Sequence, residues 1–275
     1  MFGLNCNGKL IDISSPKVMG ILNITPDSFF DGGKYQNEKE ILAQVEKMIS
    51  EGATFIDVGA YSSRPGAKHI SENEELERIV PIIKLLVKKF PDILLSIDTF
   101  RSEIAKRCIN EGASLINDIS AGNMDDKMFK TVAQLQVPYI LMHMQGTPQN
   151  MQGNPQYENV VKELIFYFSK KIYELRNLGL NDMIIDVGFG FGKTIKQNFE
   201  ILDKLELFQS LETPSLVGLS RKSMLYKTLK TSPEKALNAT TTANTIAILK
   251  GANILRVHDV KEAIEAIEIV SQLKN

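Results

Sequence analysis

The sequence has few of the features that mark secreted, membrane or zinc-knuckle proteins. It contains only two cysteines, Cys6 and Cys108, which lie far apart and form no CxxC pair. A disulfide framework or a zinc knuckle is therefore not expected, and a reducing compartment fits this cysteine usage. No apolar run approaches the ~18 residues that cross a bilayer. The first residues lack the charged and long apolar regions of a signal peptide, so we expect a cytoplasmic protein.

An excess of charge of either sign is also missing. The chain has 32 Lys and Arg against 33 Asp and Glu, which gives a formal net charge of -1. Nucleic acid and anionic membrane surfaces are therefore not expected as partners. Small-molecule substrates remain, and any anionic substrate must be met by a local group of cations.

What the sequence does have is a repeated alternation of short apolar runs with helical patterns. Its 275 residues suit one α/β barrel of roughly 250 residues. The runs are rich in β-branched residues and lack in/out alternation, which favours buried parallel strands. They are Val18–Leu22, Phe55–Val58, Ile93–Ile97, Ser114–Ile116, Val137–Met142, Met183–Ile185, Leu216–Leu219 and Asn253–Val257. Amphipathic helical patterns include Glu40–Ile49, Val160–Leu178 and Val260–Leu273.

Three helical segments enter the next run through a Gly-Ala pair, at Gly52, Gly112 and Gly251. Gly is common just past a helix end because it tolerates positive φ. Eight βα units predict a single (β/α)8 TIM barrel over residues 1–275. A doubly wound open sheet is the alternative, because the period alone does not prove closure. The Asn7-Gly8 turn predicts an N-terminal β-hairpin cap over residues 4–13.

Polar residues follow nearly every run at its C-terminal end, and in a barrel these ends share one mouth, where active sites lie. Each residue alone is explained by helix capping, but caps require no Lys, Arg or His. The residues are Asn23, Asp57, Asp98, Asn117, Asp118, His143, Asp186, Ser220, Arg221, Lys222, Arg256, His258 and Asp259.

The glycine string DVGFGFGK at Asp186–Lys193 is neither of two common phosphate-binding motifs. A P-loop requires Gly at Val187, and a dinucleotide fingerprint requires Gly at Lys193. Alternating Gly and Phe favours a backbone that passes close to a flat ligand, with Phe189 or Phe191 as a stacking wall. The alternative is a tight βα turn with buried aromatic side chains.

Two loops, at residues 23–33 and 61–71, are rich in Gly, Pro, Ser and Asp. Such loops at a barrel mouth can act as lids.

In order along the chain, the motifs resemble those of the dihydropteroate synthase family. They are NITPDSF at Asn23–Phe29, DVGAYSSRPG at Asp57–Gly66, SIDT at Ser96–Thr99, NDIS at Asn117–Ser120, MHMQGTPQNMQ at Met142–Gln152, DVGFGFGK, GLSRKS at Gly218–Ser223 and RVHDV at Arg256–Val260. Val187 departs from the usual Pro but removes no functional group.

The resemblance implies a folate-pathway transferase. It would join 6-hydroxymethyl-7,8-dihydropterin diphosphate to p-aminobenzoate, releasing pyrophosphate, and would be a sulfonamide target and a homodimer. Asp98, Asn117, Asp186 and Lys222 would bind the pterin. A carboxylate such as Asp186 matches the two parallel donors of the pterin edge. Asp98, Lys222, Arg256 and His258 would serve catalysis.

The same resemblance implies binding sites for the diphosphate and for p-aminobenzoate. Asn23, Arg64, Arg256 and His258 would bind the diphosphate, and Mg²⁺ would ride on the phosphate oxygens with Asn23 as its protein ligand. The residues implied for p-aminobenzoate are Phe29, Ser63, Pro65, Phe189, Ser220 and Lys222.

Two other functions share part of this pattern. A methyltetrahydrofolate:corrinoid methyltransferase domain would share the Asp and Asn pterin contacts without NITPDSF, SSRPG or the pair of Arg256 and His258. A non-enzymatic pterin-binding module would keep Asp98, Asn117 and Asp186 but could lose the phosphate groups. The residues also have purely structural alternatives. Arg64 and Arg256 could form surface ion pairs, and His258 could be a core histidine.

Overall fold

The chain forms a closed eight-stranded parallel barrel preceded by a two-stranded antiparallel hairpin. This is a computed structural model, and it describes residues 2–24, 33–62, 69–148, 151, 153 and 155–274. The hairpin pairs β1 (Gly3–Cys6) with β2 (Lys9–Asp12). Its turn residues Asn7 and Gly8 both have positive φ, 51° and 82°, which suits a tight hairpin turn.

Each barrel strand pairs in parallel with its neighbours in sequence, and the last strand pairs with the first. The strands are β3 (Lys17–Asn23), β4 (Phe55–Gly59), β5 (Leu95–Asp98), β6 (Leu115–Asp118), β7 (Tyr139–Met142), β8 (Met183–Asp186), β9 (Ser215–Val217) and β10 (Ile254–Val257). The predicted TIM barrel with an N-terminal hairpin is therefore confirmed, and the open-sheet alternative is wrong.

Helices connect the strands on the outside of the barrel. They are α1 (Gly33–Ser50), α2 (Glu72–Lys89), α3 (Ser102–Asn110), α4 (Met128–Leu135), α5 (Val160–Asn177), α6 (Ile195–Asp203), α7 (Ser223–Thr228), α8 (Leu237–Leu249) and α9 (Val260–Ser271). Short 3-10 turns cover Leu205–Leu211, Pro233–Lys235 and Gln272–Lys274. The three predicted helix-end glycines have φ of 98°, 104° and 93°. These are left-handed values that favour Gly.

The hairpin closes the N-terminal end of the barrel with apolar side chains. Leu4, Cys6 and Ile13 pack against a floor of inward-facing strand residues. That floor consists of Met19, Phe55, Leu94, Leu115, Ile140, Ile184, Leu216 and Ile254. A second, larger core fills the layer between the barrel and its helices. With the N-terminal end filled, only the C-terminal end is left for a polar site.

None of the helices that the structure describes is long and apolar enough to cross a membrane.

Candidate active site

The polar site is built directly above the apolar floor of the barrel. Side chains alternate along a strand, so a residue two positions beyond a floor residue also faces inward. Five strands place a polar residue at this second level. The pairs are Phe55 and Asp57, Leu94 and Ser96, Leu115 and Asn117, Ile184 and Asp186, and Ile254 and Arg256. The strand pattern alone thus gathers two carboxylates, a hydroxyl, an amide and a guanidinium in one bowl.

Arg256 lies at the centre of this bowl and joins two carboxylates. Its Nε donates to Asp57 Oδ2 at 2.6 Å, and its Nη2 donates to Asp98 Oδ2 at 2.8 Å. Burial lowers the pKa of Arg256, but the charges of Asp57 and Asp98 outweigh it and raise that pKa above its ordinary value. The guanidinium is therefore a fixed positive charge beneath the mouth.

Asp57 also fixes the orientation of Asn117. Asn117 Nδ2 donates to Asp57 Oδ2 at 2.9 Å, so the Asn117 carbonyl oxygen is directed away from this contact. Asp57 is fully buried, and its second oxygen has no hydrogen-bond partner. A buried acceptor of this kind is costly to leave unsatisfied, which is typical of a polar site that a ligand or water completes.

The two other carboxylates of the bowl have raised pKa values. Burial raises the pKa of Asp98 to about 7, against the opposing charge of Arg256. Burial also raises the pKa of Asp186, which is opposed by the Gly188 N–H donating to its Oδ1 at 2.8 Å. The positive charges of Lys222 and Arg256 further oppose the shift at Asp186. The cluster is strongly desolvated, which is typical of functional sites.

Lys222 approaches the bowl from the N-terminus of α7. Burial lowers the pKa of Lys222 to about 8, and Asp186 acts in the opposite direction. Lys222 Nζ lies 4.3 Å from the centre of the Phe191 ring. Asp186, Lys222 and Phe191 therefore form one wall of the bowl, as a charged pair beside an aromatic face.

His258 and Ser220 form the adjoining part of the rim, after the neighbouring strands β10 and β9. Ser220 Oγ contacts His258 Nδ1 at 3.0 Å and accepts from the His258 backbone N–H at 3.2 Å. The following residues, Arg221 and Asp259, are joined by two hydrogen bonds of 2.9 and 3.0 Å. These pairs tie the loop after β9 to the end of β10.

The structure brings most of the predicted site residues together. Asp98, Asn117, Asp186, Lys222 and Arg256 share the bowl. His258 and Ser220 are on its rim, and Asn23 ends β3, next to β10. Arg256 is inside the barrel mouth, so it does not form a surface ion pair. His258 is exposed, so it is not a core histidine. Phe29, Ser63, Arg64 and Pro65 lie outside the described residues.

The prediction that Phe189 lines the p-aminobenzoate site is wrong. Phe189 is 1% exposed and packs in the core between the barrel and its helices. Phe191 is only partly buried and faces Lys222. Phe189 is therefore a buried aromatic side chain of the tight βα turn. Phe191 is the phenylalanine of this turn that can face a ligand.

Two further residues were not predicted for the site. Asp57 was noted only as the polar end of a strand, although its spacing from Phe55 was sufficient to place it in the bowl. Lys193 was not considered, because a lysine is mostly exposed and no sequence pattern marks this one. It is 4% exposed.

The described part of the chain contains no group of three or more His, Cys, Asp or Glu that could hold a metal ion. The Asn23 side chain, half-buried at the end of β3, offers one amide oxygen. That fits Mg²⁺, which keeps several waters and uses few protein oxygens when phosphates are present.

Comparison with known proteins gives a consistent result. Residues 19–258 match the family model described as pterin binding enzyme. The chain is 41% identical to dihydropteroate synthase of Haemophilus influenzae over 97% of both chains. It is 40% identical to the Escherichia coli enzyme, covering 97% of this chain and 95% of that one.

Solved structures agree. A Yersinia pestis dihydropteroate synthase with a sulfonamide drug complex matches with a TM-score of 0.93 and 41% identity, over 99% of both chains. A Xanthomonas albilineans dihydropteroate synthase with 4-aminobenzoic acid matches with a TM-score of 0.92 and 36% identity, over 99% of this chain and 98% of that one. Another structure from that organism, in complex with 7,8-dihydropteroate, has a TM-score of 0.88 at 33% identity, over 99% of both chains.

A closed barrel with desolvated carboxylates, an amide and two cations at its mouth, matched along its length by this family model, defines a pterin-binding barrel enzyme. The chain belongs to the dihydropteroate synthase family. It is a folate-pathway transferase that joins 6-hydroxymethyl-7,8-dihydropterin diphosphate to p-aminobenzoate, forming 7,8-dihydropteroate and pyrophosphate. The corrinoid methyltransferase and the non-enzymatic module are set aside.

Proposed function

We propose that the bowl binds the pterin, with Asp186 accepting its two parallel edge donors. The observation that supports this most directly is the joint network of Asp57, Asn117, Asp98 and Arg256 beside Asp186. Because Asn117 donates to Asp57, its carbonyl oxygen is left to accept a ring N–H. Lys222 supplies a donor for the pterin carbonyl. These groups together match a planar heterocycle that alternates donors and acceptors.

The diphosphate belongs on the rim beside the pterin. Two of the three Arg256 nitrogens are used by Asp57 and Asp98, and within the described residues Nη1 is left for a phosphate oxygen. His258 and Asn23 stand on the adjacent strand ends, and Arg64, outside the described residues, completes the predicted set. Asn23 would hold Mg²⁺, which supplies neutralisation of the charge on the departing pyrophosphate.

Bond breaking is assisted by charge rather than by a strong base. An electron-rich dihydropterin tolerates cationic character at its exocyclic methylene, and ionised Asp98 would stabilise that charge. Arg256 and His258 would favour departure of the anion. The attacking arylamine is neutral near pH 7, so the mechanism needs no general base.

For p-aminobenzoate, we propose a place against the surface that Phe191 and the Lys222 stem form at the mouth. The Phe191 ring and Lys222 ammonium, 4.3 Å apart, form a flat wall with a cationic edge. Ser220, with Phe29, Ser63 and Pro65 outside the described residues, remains predicted for the rest of this site. The Xanthomonas albilineans relative with bound 4-aminobenzoic acid supports this choice of ligand.

We also propose that the enzyme is cytoplasmic and homodimeric. The two cysteines are free and buried, which suits a reducing compartment. Support for the dimer comes from exposed apolar side chains on the outer helices α8 and α9.

The pterin assignment is tested by Asp186→Ala. Loss of a charged hydrogen-bond partner in a buried site costs about 1.5–3 kcal/mol, or roughly a 10- to 150-fold weaker affinity. Calorimetry with the pterin diphosphate measures it directly. Asp203→Ala, which makes the same change at an exposed position at the end of α6, is the matched control and should bind like the wild type. Unchanged pterin affinity in folded Asp186→Ala would refute the assignment.

A further inference from the structure

Lys193 is a buried cation that the reaction described above does not use. Its ammonium is enclosed by four polar atoms, and its side chain is 4% exposed. Nζ donates to the carbonyl oxygens of Gly188 at 3.0 Å, Phe191 at 3.0 Å and His143 at 3.2 Å. It also lies 3.1 Å from His143 Nδ1. Burying a lysine is costly, so its place here requires a reason.

The residues that Lys193 contacts form the turn between β8 and α6. Gly188, Gly190 and Gly192 have φ of 67°, 82° and 62°, and these left-handed residues turn the Gly188 and Phe191 carbonyls toward the ammonium. The turn also packs closely against the segment after β7. A Cβ at Gly188 would lie 2.0 Å from the His143 carbonyl oxygen, which is the same oxygen that Lys193 Nζ contacts. Lys193 thus ties the turn to the segment that follows β7.

The same turn presents two groups to the bowl. Its Gly188 N–H holds Asp186 Oδ1 at 2.8 Å, and its Phe191 ring lies under the Lys222 ammonium. A shift of the turn would move Phe191 first, because Asp186 is also fixed as the last residue of β8.

We infer that Lys193 is a positioning residue for p-aminobenzoate. It draws the Gly188 and Phe191 carbonyls together behind the turn and so sets the plane of the Phe191 ring against Lys222. The pterin and diphosphate groups on β5, β6 and β10 have no contact with Lys193 among the described hydrogen bonds. This inference rests on the proposed place of p-aminobenzoate at Phe191.

Electrostatics is consistent with this geometry. Burial lowers the pKa of Lys193 to about 7, while Asp186 favours its charged form. Burial lowers the pKa of His143 to about 3, so the imidazole stays neutral and its Nδ1 can accept from the ammonium.

The test is a comparison of Lys193→Met with Lys196→Met. Methionine keeps most of the unbranched side chain and removes the charge and the donors. Lys196 is exposed on the next helix. Misplacement of a reacting group by a fraction of its size costs on the order of 10- to 100-fold. We expect the KM for p-aminobenzoate to rise by that factor in Lys193→Met. The dissociation constants of the pterin diphosphate and of pyrophosphate with Mg²⁺ should stay within about 3-fold of wild type, and Lys196→Met should match wild type throughout.

Phe191→Ala separates the inference from the proposal on which it rests. If Phe191→Ala raises the KM for p-aminobenzoate and Lys193→Met does not, the inference fails and the proposed site stands. If neither variant raises it, the proposed site fails as well. An equal loss of pterin, pyrophosphate and p-aminobenzoate binding in Lys193→Met would show a merely structural role and overturn the inference.

If Lys193→Met does not fold, Tyr157→Phe provides a second test of the inference. Tyr157 Oη donates to the Gly192 carbonyl of the same turn at 2.9 Å, and Tyr157→Phe removes only that hydroxyl. We then expect a smaller rise, about 3-fold, in the KM for p-aminobenzoate, with pyrophosphate binding unchanged. A wild-type KM in Tyr157→Phe would contradict the inference.

Discussion

Among single residues, Asp98 and Lys222 face the bowl with pKa values on either side of the working range, about 7 and about 8. The mechanism needs Asp98 ionised, which requires a pH above its pKa, and Lys222 protonated, which requires a pH below its own. A profile of kcat/KM for the pterin diphosphate should therefore rise through about pH 7 and fall above about pH 8.

The comparison enzyme for this profile is Asp98→Asn, whose amide does not titrate. The rising limb due to Asp98 should vanish in it, on top of an overall loss of rate. Phosphate ionisation of the substrate is common to both enzymes, so the difference between the two profiles isolates Asp98. An Asp98→Asn profile with the wild-type rising limb would show that another group controls it.

The sequence predicted which polar residues lie at the barrel mouth better than it predicted the burial of individual side chains. Asp98, Asn117, Asp186 and Arg256 were placed at the mouth because each lies at or near the C-terminal end of a predicted strand. Phe189 and Phe191 could not be told apart, because they lie in a turn of left-handed glycines, where the alternation of a strand does not apply. The burial of Lys193 depends on carbonyls that only the folded turn brings together.

Among elements, α8 and α9 carry the apolar surface that a dimer would cover. The two helices are neighbours. Ile246 and Leu249 on α8, Ile269 on α9 and Leu273 just beyond it are exposed, three of them by more than half. Exposed apolar side chains on neighbouring helices favour an interaction surface. In solution we expect a molar mass of twice 30.7 kDa, measured by light scattering.

The dimer prediction has its own matched pair of variants. Leu249→Lys places a charge within the proposed contact and should shift the protein toward monomer at micromolar concentration. Leu10→Lys makes the same change on the hairpin, where Leu10 is 79% exposed, and should remain dimeric. A wild-type protein that is monomeric at all concentrations would disprove the arrangement.

The existence of the elements could be predicted, but several of their ends could not. The run Ile93–Ile97 predicted a strand that in the structure is Leu95–Asp98. Its polar last residue belongs to the strand because pairing with β4 and β6 continues through it. The pattern Glu40–Ile49 similarly marked only the apolar face of α1, which begins at Gly33.

In the whole molecule, closure of the barrel brings the C-terminal ends of its eight strands together in one site. Closure depends on pairing of β10 with β3, two segments more than 200 residues apart, and no local pattern encodes it. The eight βα units predicted a barrel but left an open sheet as the alternative, and the pairing of the last strand with the first decides between them. Arg256 on β10 reaches Asp57 and Asp98 on β4 and β5 only because the sheet is closed.

The most direct test of the account is pyrophosphate release by the whole enzyme, followed together with formation of 7,8-dihydropteroate. The reaction is run with dihydropterin diphosphate, and p-aminobenzoate or Mg²⁺ is omitted in turn. With all components present, we expect release of pyrophosphate and formation of dihydropteroate in equal amounts. Without p-aminobenzoate no dihydropteroate forms, and without Mg²⁺ the rate falls sharply. Absence of dihydropteroate from the complete reaction, or release at the same rate with and without p-aminobenzoate, would contradict it.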